Sequence, residues 1–537
     1  MSTQFKLGQP SEKTLKEIIA ELLCENEAAL PSAFTLYDRH SEGESLAEKI
    51  KIAGLAYDSR HVEKDFAFFS IEGQKQDGNA FINQAIEKGA SLIVSQKKSG
   101  PYAVPLLVVP DVRVFMGQMA NIFFEKPSEK LSLLGVTGTN GKTTTTHLIE
   151  HIFNFNGRQC GLIGTLGARM PLAGKTEYLD VHHTTPQAAD LQALLYTMAK
   201  EGVQYVAMEV SSHALFLKRV EGTEFSVGCL TNITQDHLDF HKTMEHYYRS
   251  KAILFEMLAG KDQACAVINL DDKYAEPFLN ICQENKTKIL SYGKDTKASI
   301  HPISFQFDAR GTQIELATPD GVISFSTKLT GEFNLYNVMA AMAISLSQGI
   351  SKEAVAEALK DFAGVAGRFE VVQPPFKIGE GRAVPLCIVD YAHTPDGLDN
   401  VLKAARALVK EPGKLIAVFG CGGDRDSSKR PQMGAIAEEL ADKLVVTSDN
   451  PRSEDPQQII ADILAGIKRL KDVTVEVDRQ RAILEAVKSA GSSDVVVVAG
   501  KGHETYQILK DRTIDFDDRI EVANALKERE DIISIER

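Results

Sequence analysis

No stretch of this chain is apolar for long enough to cross a bilayer, which requires roughly 20 residues. Apolar runs such as residues 495–499 have the length of a β-strand and lie between polar residues and glycine. Residues 1–23 also lack the basic start, the continuous apolar centre and the small-residue cleavage site of a signal peptide. We therefore expect a cytoplasmic protein with no membrane insertion.

Basic residues are not in excess, since the chain has 60 lysines and arginines against 73 aspartates and glutamates and a formal net charge of −13. A protein that binds nucleic acid or an anionic membrane needs basic residues to neutralise phosphates. This balance argues against both kinds of partner. Any anionic ligand must therefore be bound by local cations.

The seven cysteines form no CxxC pair. Their odd number fits reduced, packed thiols better than disulfides or a structural zinc site. Long low-complexity tracts are absent too, and the content of 43% hydrophobic and 25% charged residues is typical of a globular protein.

At 537 residues the chain is too long for one ordinary core, and its length favours roughly three domains. Short apolar runs alternate with helical stretches in three regions, which predicts three α/β domains. We expect a small N-terminal α/β domain (1–127), a central domain with a mostly parallel sheet between helices on both faces (128–366), and a Rossmann-like C-terminal α/β domain (367–537). The predicted strands are residues 67–71, 91–94, 105–109, 131–136, 205–210, 227–230, 386–389, 415–419, 444–447 and 495–499.

An extra helical segment precedes the first of these strands. Apolar residues recur at helical spacing from Leu15 to Leu23, and Thr14 and Glu17 have the spacing of a capping box. We interpret this segment as an amphipathic helix that covers the first domain.

A glycine-rich loop follows one of the predicted strands. Its sequence is Thr137-Gly138-Thr139-Asn140-Gly141-Lys142-Thr143, and a helix-like stretch follows it. In a phosphate-binding loop of this kind, backbone amides and the helix N-terminus hold phosphate oxygens, the lysine binds the β- and γ-phosphates and the threonine ligates Mg²⁺. The strict GxxxxGK[ST] pattern fails because Val136 occupies its first glycine position. We nevertheless predict ATP binding, with a tight strand-to-helix turn as the structural alternative.

Polar side chains follow two further predicted strands. Glu209 and Ser211 stand at the end of one strand, and Asp236 and His237 come after the next. Ligands bind at the carboxyl edge of a parallel sheet, so these side chains are expected to lie beside the phosphate loop.

His237 and His241 have the spacing of a zinc-protease motif, but Leu238 stands where that motif requires glutamate, which excludes a protease. Considered alone, these histidines are more often solvated or structural groups. Tyr247 and Lys251 follow one helical turn apart, and from the residues alone Lys251 would be a surface lysine in contact with Tyr247.

Taken in order, these motifs resemble the Mur ligase family. They are the phosphate loop, Glu209-Val210-Ser211-Ser212-His213, Asp236-His237-Leu238-Asp239-Phe240-His241, Tyr247 to Lys251, Gly331-Glu332-Phe333-Asn334, Gly367-Arg368-Phe369 and Asp390-Tyr391-Ala392-His393-Thr394-Pro395. A second set is similar to the branch that adds the third peptide residue. It comprises Asp58-Ser59-Arg60, Thr184-Thr185-Pro186, residues 420–426, Asp449-Asn450-Pro451-Arg452 and Gly500-Lys501-Gly502-His503-Glu504. The resemblance starts at about residue 54 and continues to the end.

The resemblance implies an ATP-dependent amide ligase of peptidoglycan precursor synthesis. In that reaction ATP phosphorylates a carboxylate of UDP-N-acetylmuramoyl-L-alanyl-D-glutamate, and the amine of meso-diaminopimelate attacks the acyl phosphate, so that ADP and phosphate leave. Two anions must approach each other, so Mg²⁺ and cations are required. The implied partners are these three substrates, and we expect a monomer.

The family match implies a catalytic and metal-binding group. Lys142 and Thr143 would hold the phosphates and Mg²⁺, and Glu209 and His237 would help to place the metal, although oxygen ligands suit Mg²⁺ better than nitrogen. Lys251 matches a family lysine that is carbamylated to N6-carboxylysine. This modification would turn a cation that repels Mg²⁺ into an anionic ligand.

The match also assigns substrate contacts. The implied ATP-binding residues are Gly138, Thr139, Asn140, Gly141, Lys142, Thr143, Asn334, Arg368, Asp390 and His393. The implied UDP-sugar-binding residues are Ser59, Thr184, Thr185, Ser211 and Arg219. Leu217 departs from the family, in which Gln is common at this position. Structural alternatives are a helix cap for Asn334 and a strand-end cap for Asp390. Contacts from two domains imply closure around the substrates.

The two main branches of the family add either meso-diaminopimelate or L-lysine, which lacks the distal carboxylate. Arg452 offers the planar fork that binds a carboxylate bidentately and matches the diaminopimelate branch. The implied diaminopimelate-binding residues are Arg425, Asp449, Asn450, Arg452, Gly500 and Glu504. From the residues alone, Asn450 and Pro451 would be the N-cap and first residue of a helix.

Three other functions compete with this interpretation. The first is the same ligation with L-lysine. The second is a related ligase such as folylpolyglutamate synthase, in which the phosphate loop comes early, whereas about 130 residues precede it here. The third is a nucleotide-binding regulator that has lost ligation, against which Lys142, Glu209, His237 and Lys251 argue.

Overall fold

The computed structural model describes residues 7–25, 35–37, 44–73, 76–179, 181, 183–376, 384–469 and 473–535. The strands are β1 (Lys13–Thr14), β2 (Thr35–Tyr37), β3 (Lys51–Ile52), β4 (Gly54–Ala56), β5 (Phe66–Phe69), β6 (Ala90–Ser95), β7 (Leu106–Val108), β8 (Ser132–Thr137), β9 (Cys160–Gly164), β10 (Gly167–Leu172), β11 (Lys175–Leu179), β12 (Tyr205–Glu209), β13 (Val227–Leu230), β14 (Cys265–Asn269), β15 (Lys288–Tyr292), β16 (His301–Asp308), β17 (Gly311–Thr318), β18 (Gly321–Thr327), β19 (Glu370–Val371), β20 (Leu386–Asp390), β21 (Leu415–Phe419), β22 (Lys443–Val446), β23 (Val473–Val475), β24 (Val495–Ala499), β25 (Tyr506–Ile508) and β26 (Thr513–Asp515).

The helices are α1 (Leu15–Glu25), α2 (Glu44–Ala47), α3 (Ile82–Glu87), α4 (Val112–Phe123), α5 (Lys142–Phe155), α6 (Ala188–Lys200), α7 (Ser212–Phe216), α8 (Leu238–His241), α9 (Met244–Glu256), α10 (Ala275–Glu284), α11 (Glu332–Ser347), α12 (Lys352–Asp361), α13 (Pro395–Arg406), α14 (Lys429–Leu440), α15 (Pro456–Leu464), α16 (Arg479–Ser489) and α17 (Asp518–Ile535). In the described part of the chain, no helix is both long and apolar enough to span a membrane.

The first sheet has the strand order β2-β7-β6-β5-β4, and all neighbours except β2 and β7 are parallel. Helix α1 packs on its core through Leu15, Ile18 and Leu22, whereas Leu23 is exposed. The predicted capping box is present, because the Thr14 backbone amide donates to Glu17 Oε2 at 2.7 Å. Residues 1–6 of this opening segment lie outside the described part.

The central sheet has the order β11-β10-β9-β12-β8-β13-β14-β15. The six neighbouring strands β9-β12-β8-β13-β14-β15 are parallel, and β10 and β11 form an antiparallel hairpin at the edge. Helices α5 and α11 pack on one face, and helices α6, α9 and α10 pack on the other. Strand β8 lies between β12 and β13, so the loops after these three strands meet at one edge of the sheet.

The third large sheet has the order β19-β20-β24-β21-β22-β23 and is parallel apart from β19. Helices α13, α14 and α15 cover one face, and helices α16 and α17 cover the other. Parallel strands that are buried on both faces read as continuous apolar runs, which explains why Leu415–Phe419 and Val495–Ala499 were predicted at these bounds.

The mixed α/β fold with mostly parallel sheets confirms the predicted fold class. Two local features differ from the predictions. The antiparallel sheet β16-β17-β18 was not expected. No helix begins at Asn450 and Pro451; the next helix is capped by Asp455, whose side chain accepts from the Gln457 amide. The domain boundaries at residues 127 and 366 stay a prediction.

Candidate active site

The phosphate loop depends on two glycines at its turns. Gly138 has φ 148° and Gly141 has φ 85°, values that disfavour residues with a side chain. A β-carbon at Gly138 would overlap Thr231 Oγ1, and one at Gly141 would collide with Asn337 Oδ1. Val136, the departure from the strict pattern, is buried in strand β8 and does not belong to the turn.

Neighbouring strands hold the loop in place. The Asn140 amide donates to Asn232 Oδ1 at 2.9 Å, and Thr231 Oγ1 donates to the Asn140 carbonyl at 2.6 Å. Thr139 Oγ1 and the Tyr247 hydroxyl are hydrogen-bonded at 3.0 Å. The loop is therefore fixed by side chains that follow β13 and by one from α9.

Three basic side chains meet at this loop. Lys142 Nζ and Lys251 Nζ both donate to the Gly138 carbonyl, at 2.9 Å and 2.7 Å. Arg368, which follows helix α12, donates through Nη2 to Thr143 Oγ1 at 3.1 Å. The structure thus brings together basic side chains of the kind that a bound polyphosphate requires.

Lys251 is buried, with 1% of the residue exposed, and is not a surface lysine. Its Nζ lies 4.6 Å from the centre of the Tyr247 ring, so the predicted contact between the two residues exists. Burial lowers the pKa of Lys251 well below its usual value, the charge of Lys142 lowers it further, and Asp236 opposes the shift. Burial and the charge of Lys142 therefore both favour the neutral amine.

Glu209 is completely buried at the carboxyl end of β12. Its Oε1 accepts from the Thr165 amide at 2.9 Å, and its Oε2 accepts from Thr165 Oγ1 at 3.0 Å. A β-carbon at Gly164 would overlap the Glu209 carboxylate, so this glycine makes room for it. The register pairs Glu209 with Val136, directly before the phosphate loop.

The histidines after β13 form a cluster beside Glu209 and the loop. His237 has φ 55° and lies 3.3 Å from Asp236 through Nε2. The rings of His237 and His213 are 4.7 Å apart, and His241 Nε2 is hydrogen-bonded to Ser212 Oγ at 2.9 Å. Burial lowers the pKa of His237 and that of His241 to about 3, so both are neutral at neutral pH. His241 is a structural partner of Ser212, whereas His237 faces the cleft.

Asp390, the last residue of strand β20, holds the segment that follows helix α12. Its two oxygens accept from the backbone amides of Phe369 and Ala392 at 2.6 Å and 2.7 Å. Burial raises its pKa to about 6, although Arg368 and these two amides oppose the shift. Both oxygens of Asp390 are thus already hydrogen-bonded to the backbone. Its predicted contact with ribose stays a prediction. His393, three residues further on, lines the cleft.

Two residues that the sequence motifs did not reveal belong to this site. Asn337, on helix α11, lies against Gly141 and accepts from Thr145 Oγ1 at 3.4 Å, whereas the predicted Asn334 is buried behind it and accepts from Asn337 Nδ2. Asp396, at the start of helix α13, accepts from Asn140 Nδ2 at 2.6 Å. Its position directly after the motif that ends in Pro395 was the available clue.

The predicted UDP-sugar residues of the central domain lie together. Thr185 Oγ1 donates to the Glu209 carbonyl at 2.9 Å and accepts from the Ser211 amide at 3.1 Å. Arg219 Nη1 donates to the Thr185 carbonyl at 3.1 Å. Thr184 and Ser211 line the same cleft as the phosphate loop.

Ser59 is not part of that cleft. It is buried in the first domain, where its hydroxyl donates to Gln84 Oε1 at 2.7 Å. The nearby hydroxyl of Tyr57 donates to Asp190 on helix α6, which connects the first sheet to the central domain. The structure therefore does not bring Ser59 into contact with the other predicted residues.

The predicted diaminopimelate residues converge at the carboxyl edge of the third sheet. Asn450 Nδ2 donates to Glu504 Oε2 at 2.8 Å, and a β-carbon at Gly500 would overlap Asp449 Oδ2. Arg452 has φ 53° and donates through Nη1 to the Gly423 carbonyl at 2.8 Å.

Arg425 and Lys501 complete this group. Arg425 is exposed and, like Arg452, lies against Gly422. Lys501, which was not predicted, is completely buried and donates to Glu504 Oε2 at 2.9 Å and to Asn450 Oδ1 at 3.2 Å. Its place between Gly500 and Gly502 in the motif was the clue to it.

The phosphate loop opens into a cleft of about 780 Å³ between the central and C-terminal domains. Lys142, Glu209, His237, Arg368 and His393 line it. Cations from two domains, a buried carboxylate and a glycine-rich loop fit a site at which a nucleotide triphosphate meets a second anionic substrate.

Three known domain families match the chain. They are the "Mur ligase family, catalytic domain" at residues 51–124, the "Mur ligase middle domain" at residues 136–345 and the "Mur ligase, glutamate ligase domain" at residues 367–502. The chain belongs to the Mur ligase family, as its motifs predicted, and is an ATP-dependent ligase.

Curated relatives carry a more specific name. A protein of Gloeobacter violaceus, a UDP-N-acetylmuramoyl-L-alanyl-D-glutamate--2,6-diaminopimelate ligase, is 47% identical over 484 residues, which cover 89% of this chain and 95% of the relative. A ligase of the same name, numbered 1, from Clostridium acetobutylicum is 43% identical over 482 residues, with the same coverage. A solved structure of a ligase of this name matches with a TM-score of 0.66 and 32% identity, and covers 97% of this chain and 100% of its own.

His147 links the stability of the fold to pH. It is buried behind the phosphate loop on helix α5, and its Nδ1 is hydrogen-bonded to the Thr143 carbonyl at 2.8 Å. Burial, together with the charges of Arg169 and Arg368, lowers its pKa to about 3. Between about pH 6.5 and pH 3 the unfolded chain therefore binds the proton that the folded chain excludes, so stability falls as pH falls.

We expect His147→Gln to remove part of this acid sensitivity, by up to about 1.4 kcal/mol per pH unit below pH 6. The measurement is the apparent free energy of unfolding in denaturant at pH 5, 6 and 7. His61→Gln, at an exposed histidine, is the matched control. Equal slopes for His147→Gln and the unsubstituted protein would contradict the assignment.

Proposed function

We propose that this chain joins meso-diaminopimelate to UDP-N-acetylmuramoyl-L-alanyl-D-glutamate in the cytoplasm, at the expense of ATP. The observation that carries the proposal is the convergence of Lys142, Lys251 and Arg368 on the phosphate loop beside the buried Glu209. Relatives named for this reaction align with 89% of the chain, which supports the choice of substrates.

The phosphate loop would bind the triphosphate of ATP. Lys142 Nζ donates to the carbonyls of Gly138 and Thr139, at 2.9 Å and 2.8 Å, and would exchange these contacts for phosphate oxygens. Arg368 would move its guanidinium from Thr143 Oγ1 to the phosphates and thereby couple nucleotide binding to the C-terminal domain. Asn140 already contacts Asp396 of that domain, which fits a closed arrangement.

The donor groups suit Mg²⁺, which prefers carboxylate and hydroxyl oxygens and is usually bound by one or two carboxylates together with substrate phosphates. Glu209 and Thr143 offer these oxygens at the phosphate loop. No three acidic, histidine or cysteine side chains among the described residues gather into a metal cluster, so a protein-only cage is not expected. Bound there, the metal would neutralise phosphate charge between the two anionic substrates.

The protein would catalyse the reaction by placing groups and by stabilising charge. The substrate carboxylate attacks the terminal phosphorus of ATP, ADP leaves, and the amine then displaces phosphate from the acyl phosphate and loses a proton. Lys142 and Arg368 would stabilise the negative charge on the transferred phosphoryl group. Closure of the cleft would exclude water, which would otherwise hydrolyse the acyl phosphate.

Thr184, Thr185, Ser211 and Arg219 would position the UDP-sugar peptide, with its carboxylate directed at Glu209 and the phosphate loop. Arg219 supplies the cation in this group and has a buried Nε without a partner in the described structure, which leaves one donor available. Leu217 is the C-cap residue after helix α7 and has an apolar side chain, so it cannot replace the glutamine that the family commonly uses there.

Lys251 would act as its carbamate. The neutral amine attacks CO₂ to give a carbamate and release a proton, and burial at this position favours that neutral amine. The product is an anion next to Lys142, and it would orient oxygen ligands towards the metal. An unmodified ammonium at 2.7 Å from Gly138 O would instead repel it.

We expect Lys251→Ala to lower kcat by about a hundredfold, because an anionic group at the reacting centre is lost. Added short-chain carboxylic acid should restore part of kcat, since it can occupy the vacated space. Lys175→Ala, at an exposed lysine of the β10–β11 hairpin, is the control and should leave kcat unchanged with or without acid. Full activity of Lys251→Ala without acid would refute the carbamate.

Arg452 would bind the distal carboxylate that distinguishes diaminopimelate from lysine. Asp449 and Glu504 would bind the distal ammonium, with Arg425 and Asn450 beside them. The positive φ of Arg452 and its bond to the Gly423 carbonyl aim the guanidinium at the space next to Gly422.

We expect Arg452→Ala to raise the KM for diaminopimelate between about tenfold and a hundredfold, which corresponds to the loss of a charged hydrogen-bonded pair. The KM for ATP should stay the same, and the preference over lysine should fall. Arg481→Ala, at an arginine paired with Glu476 on the surface, is the control. A protein that prefers lysine before any substitution would overturn the assignment of Arg452.

The decisive assay is ADP release. It should require both the UDP-sugar dipeptide and diaminopimelate, with lysine and with folate plus glutamate tested side by side, and Lys142→Met should abolish it. Release with folate and glutamate would favour the folylpolyglutamate alternative. ATP turnover that needs neither co-substrate would favour the nucleotide-binding regulator.

A further inference from the structure

Arg479 is a completely buried charge behind the amino-acid site. It is the first residue of helix α16, and its side chain and that of Asp518 are both 0% exposed. The pair is bidentate, with Nε donating to Asp518 Oδ1 at 2.8 Å and Nη2 donating to Asp518 Oδ2 at 2.7 Å. Burial alone would lower the pKa of Arg479, but Asp518 raises it above its ordinary value, so Arg479 stays charged.

The rest of the guanidinium reaches two loops. Nη1 donates to the Ser448 carbonyl at 3.2 Å, and Nη2 donates to the Ala499 carbonyl at 3.0 Å. Ser448 directly precedes Asp449 and leads to Arg452. Ala499 ends strand β24 and leads into the motif that contains Glu504.

These two loops follow strands that do not touch each other. In the sheet, β21 lies between β22 and β24, so no hydrogen bond of the sheet sets the distance between the two loops directly. On the side of the proposed amino-acid site, Asn450, Lys501 and Glu504 join the loops, and two of these are groups proposed to touch the amino acid. Gln507 and Ile508, just beyond the second loop, donate to the Asp449 carbonyl and to Asn450 Oδ1. Arg479 joins them from behind, away from solvent.

A buried ion pair is not needed for stability, because well-packed apolar residues of similar volume often stabilise a fold equally well. Arg479 and Asp518 therefore suggest a requirement other than stability. Only a guanidinium can bind the Asp518 carboxylate bidentately and still donate to two backbone carbonyls, so lysine is not an equal substitute.

We propose that Arg479, anchored by Asp518, is a positioning residue for amino-acid selection that fixes the distance between loop 448–452 and loop 499–504. Arg452 and Glu504 can then bind the distal carboxylate and the ammonium of one and the same diaminopimelate. This inference rests on the proposed function. It concerns the fit of the third substrate and leaves the binding of ATP and of the UDP-sugar unaffected.

The test uses the double variant Arg479→Met with Asp518→Leu in the full-length chain. It removes both charges together, so that no unpaired charge stays buried. We expect the variant to fold and its KM for diaminopimelate to rise at least about tenfold, while the KM values for ATP and for the UDP-sugar dipeptide stay within about twofold. The ratio of kcat/KM for diaminopimelate to that for lysine should fall at least about fivefold.

Arg529→Met is the matched control, because Arg529 also donates to two carbonyls, those of Val487 and Lys488, but at the far end of helix α16. It should change none of the three KM values. Arg479→Lys keeps the charge beside Asp518 and provides a second measurement if the double variant does not fold. It should show the same selective rise in the KM for diaminopimelate with the thermal transition retained.

Different outcomes would refute the proposed function and the positioning role of Arg479. An unsubstituted protein that does not release ADP with the UDP-sugar dipeptide and diaminopimelate would refute the proposed function itself. If it is active, an unchanged KM for diaminopimelate and an unchanged preference in a folded variant would refute only the positioning role. An equal rise in all three KM values would also refute that role, since it would indicate a general structural defect.

Discussion

Two lysines share one carbonyl oxygen, that of Gly138, and the architecture of the site is organised around this crowding of basic side chains. Lys142 and Lys251 both donate to this oxygen, and Arg368 stands at the next hydroxyl, that of Thr143. Positive charge is unfavourable in a buried place, which is why the neutral amine is favoured at Lys251, and a polyanionic ligand would stabilise the charges of Lys142 and Arg368. The acidic chain thus gathers basic side chains at one place, where an anionic ligand would need them.

This arrangement also ties the domains together. Arg368 follows the last helix of the central domain, yet the residue after it, Phe369, donates to Asp390 at the end of β20. Gly367 packs so tightly against Gly502 that neither position has room for a side chain. Residues 367–369 thus contact the phosphate loop, the end of strand β20 and the motif that ends in Glu504.

The proposed amino-acid site shows the same division between groups that would touch a ligand and groups that hold them. Arg452 and Glu504 stand on loops, where specificity is easily varied. Behind them the buried Arg479 holds the backbone of both loops, and Lys501 holds the Glu504 carboxylate. Selection between two amino acids that differ in one carboxylate depends on distances, which such fixed supports provide.

Sequence alone determined the features that short-range patterns encode. Apolar runs predicted the strands of the parallel sheets, and the motif from Gly138 to Thr143 predicted the phosphate loop between β8 and α5. Tertiary structure decided the rest, because burial and contacts between distant residues leave no local pattern. It buried Lys251, which from the residues alone would be a surface lysine, and it placed Asn450 in a loop instead of at the start of a helix. It also placed Arg479 behind two loops, since sheet order and not chain order makes them neighbours.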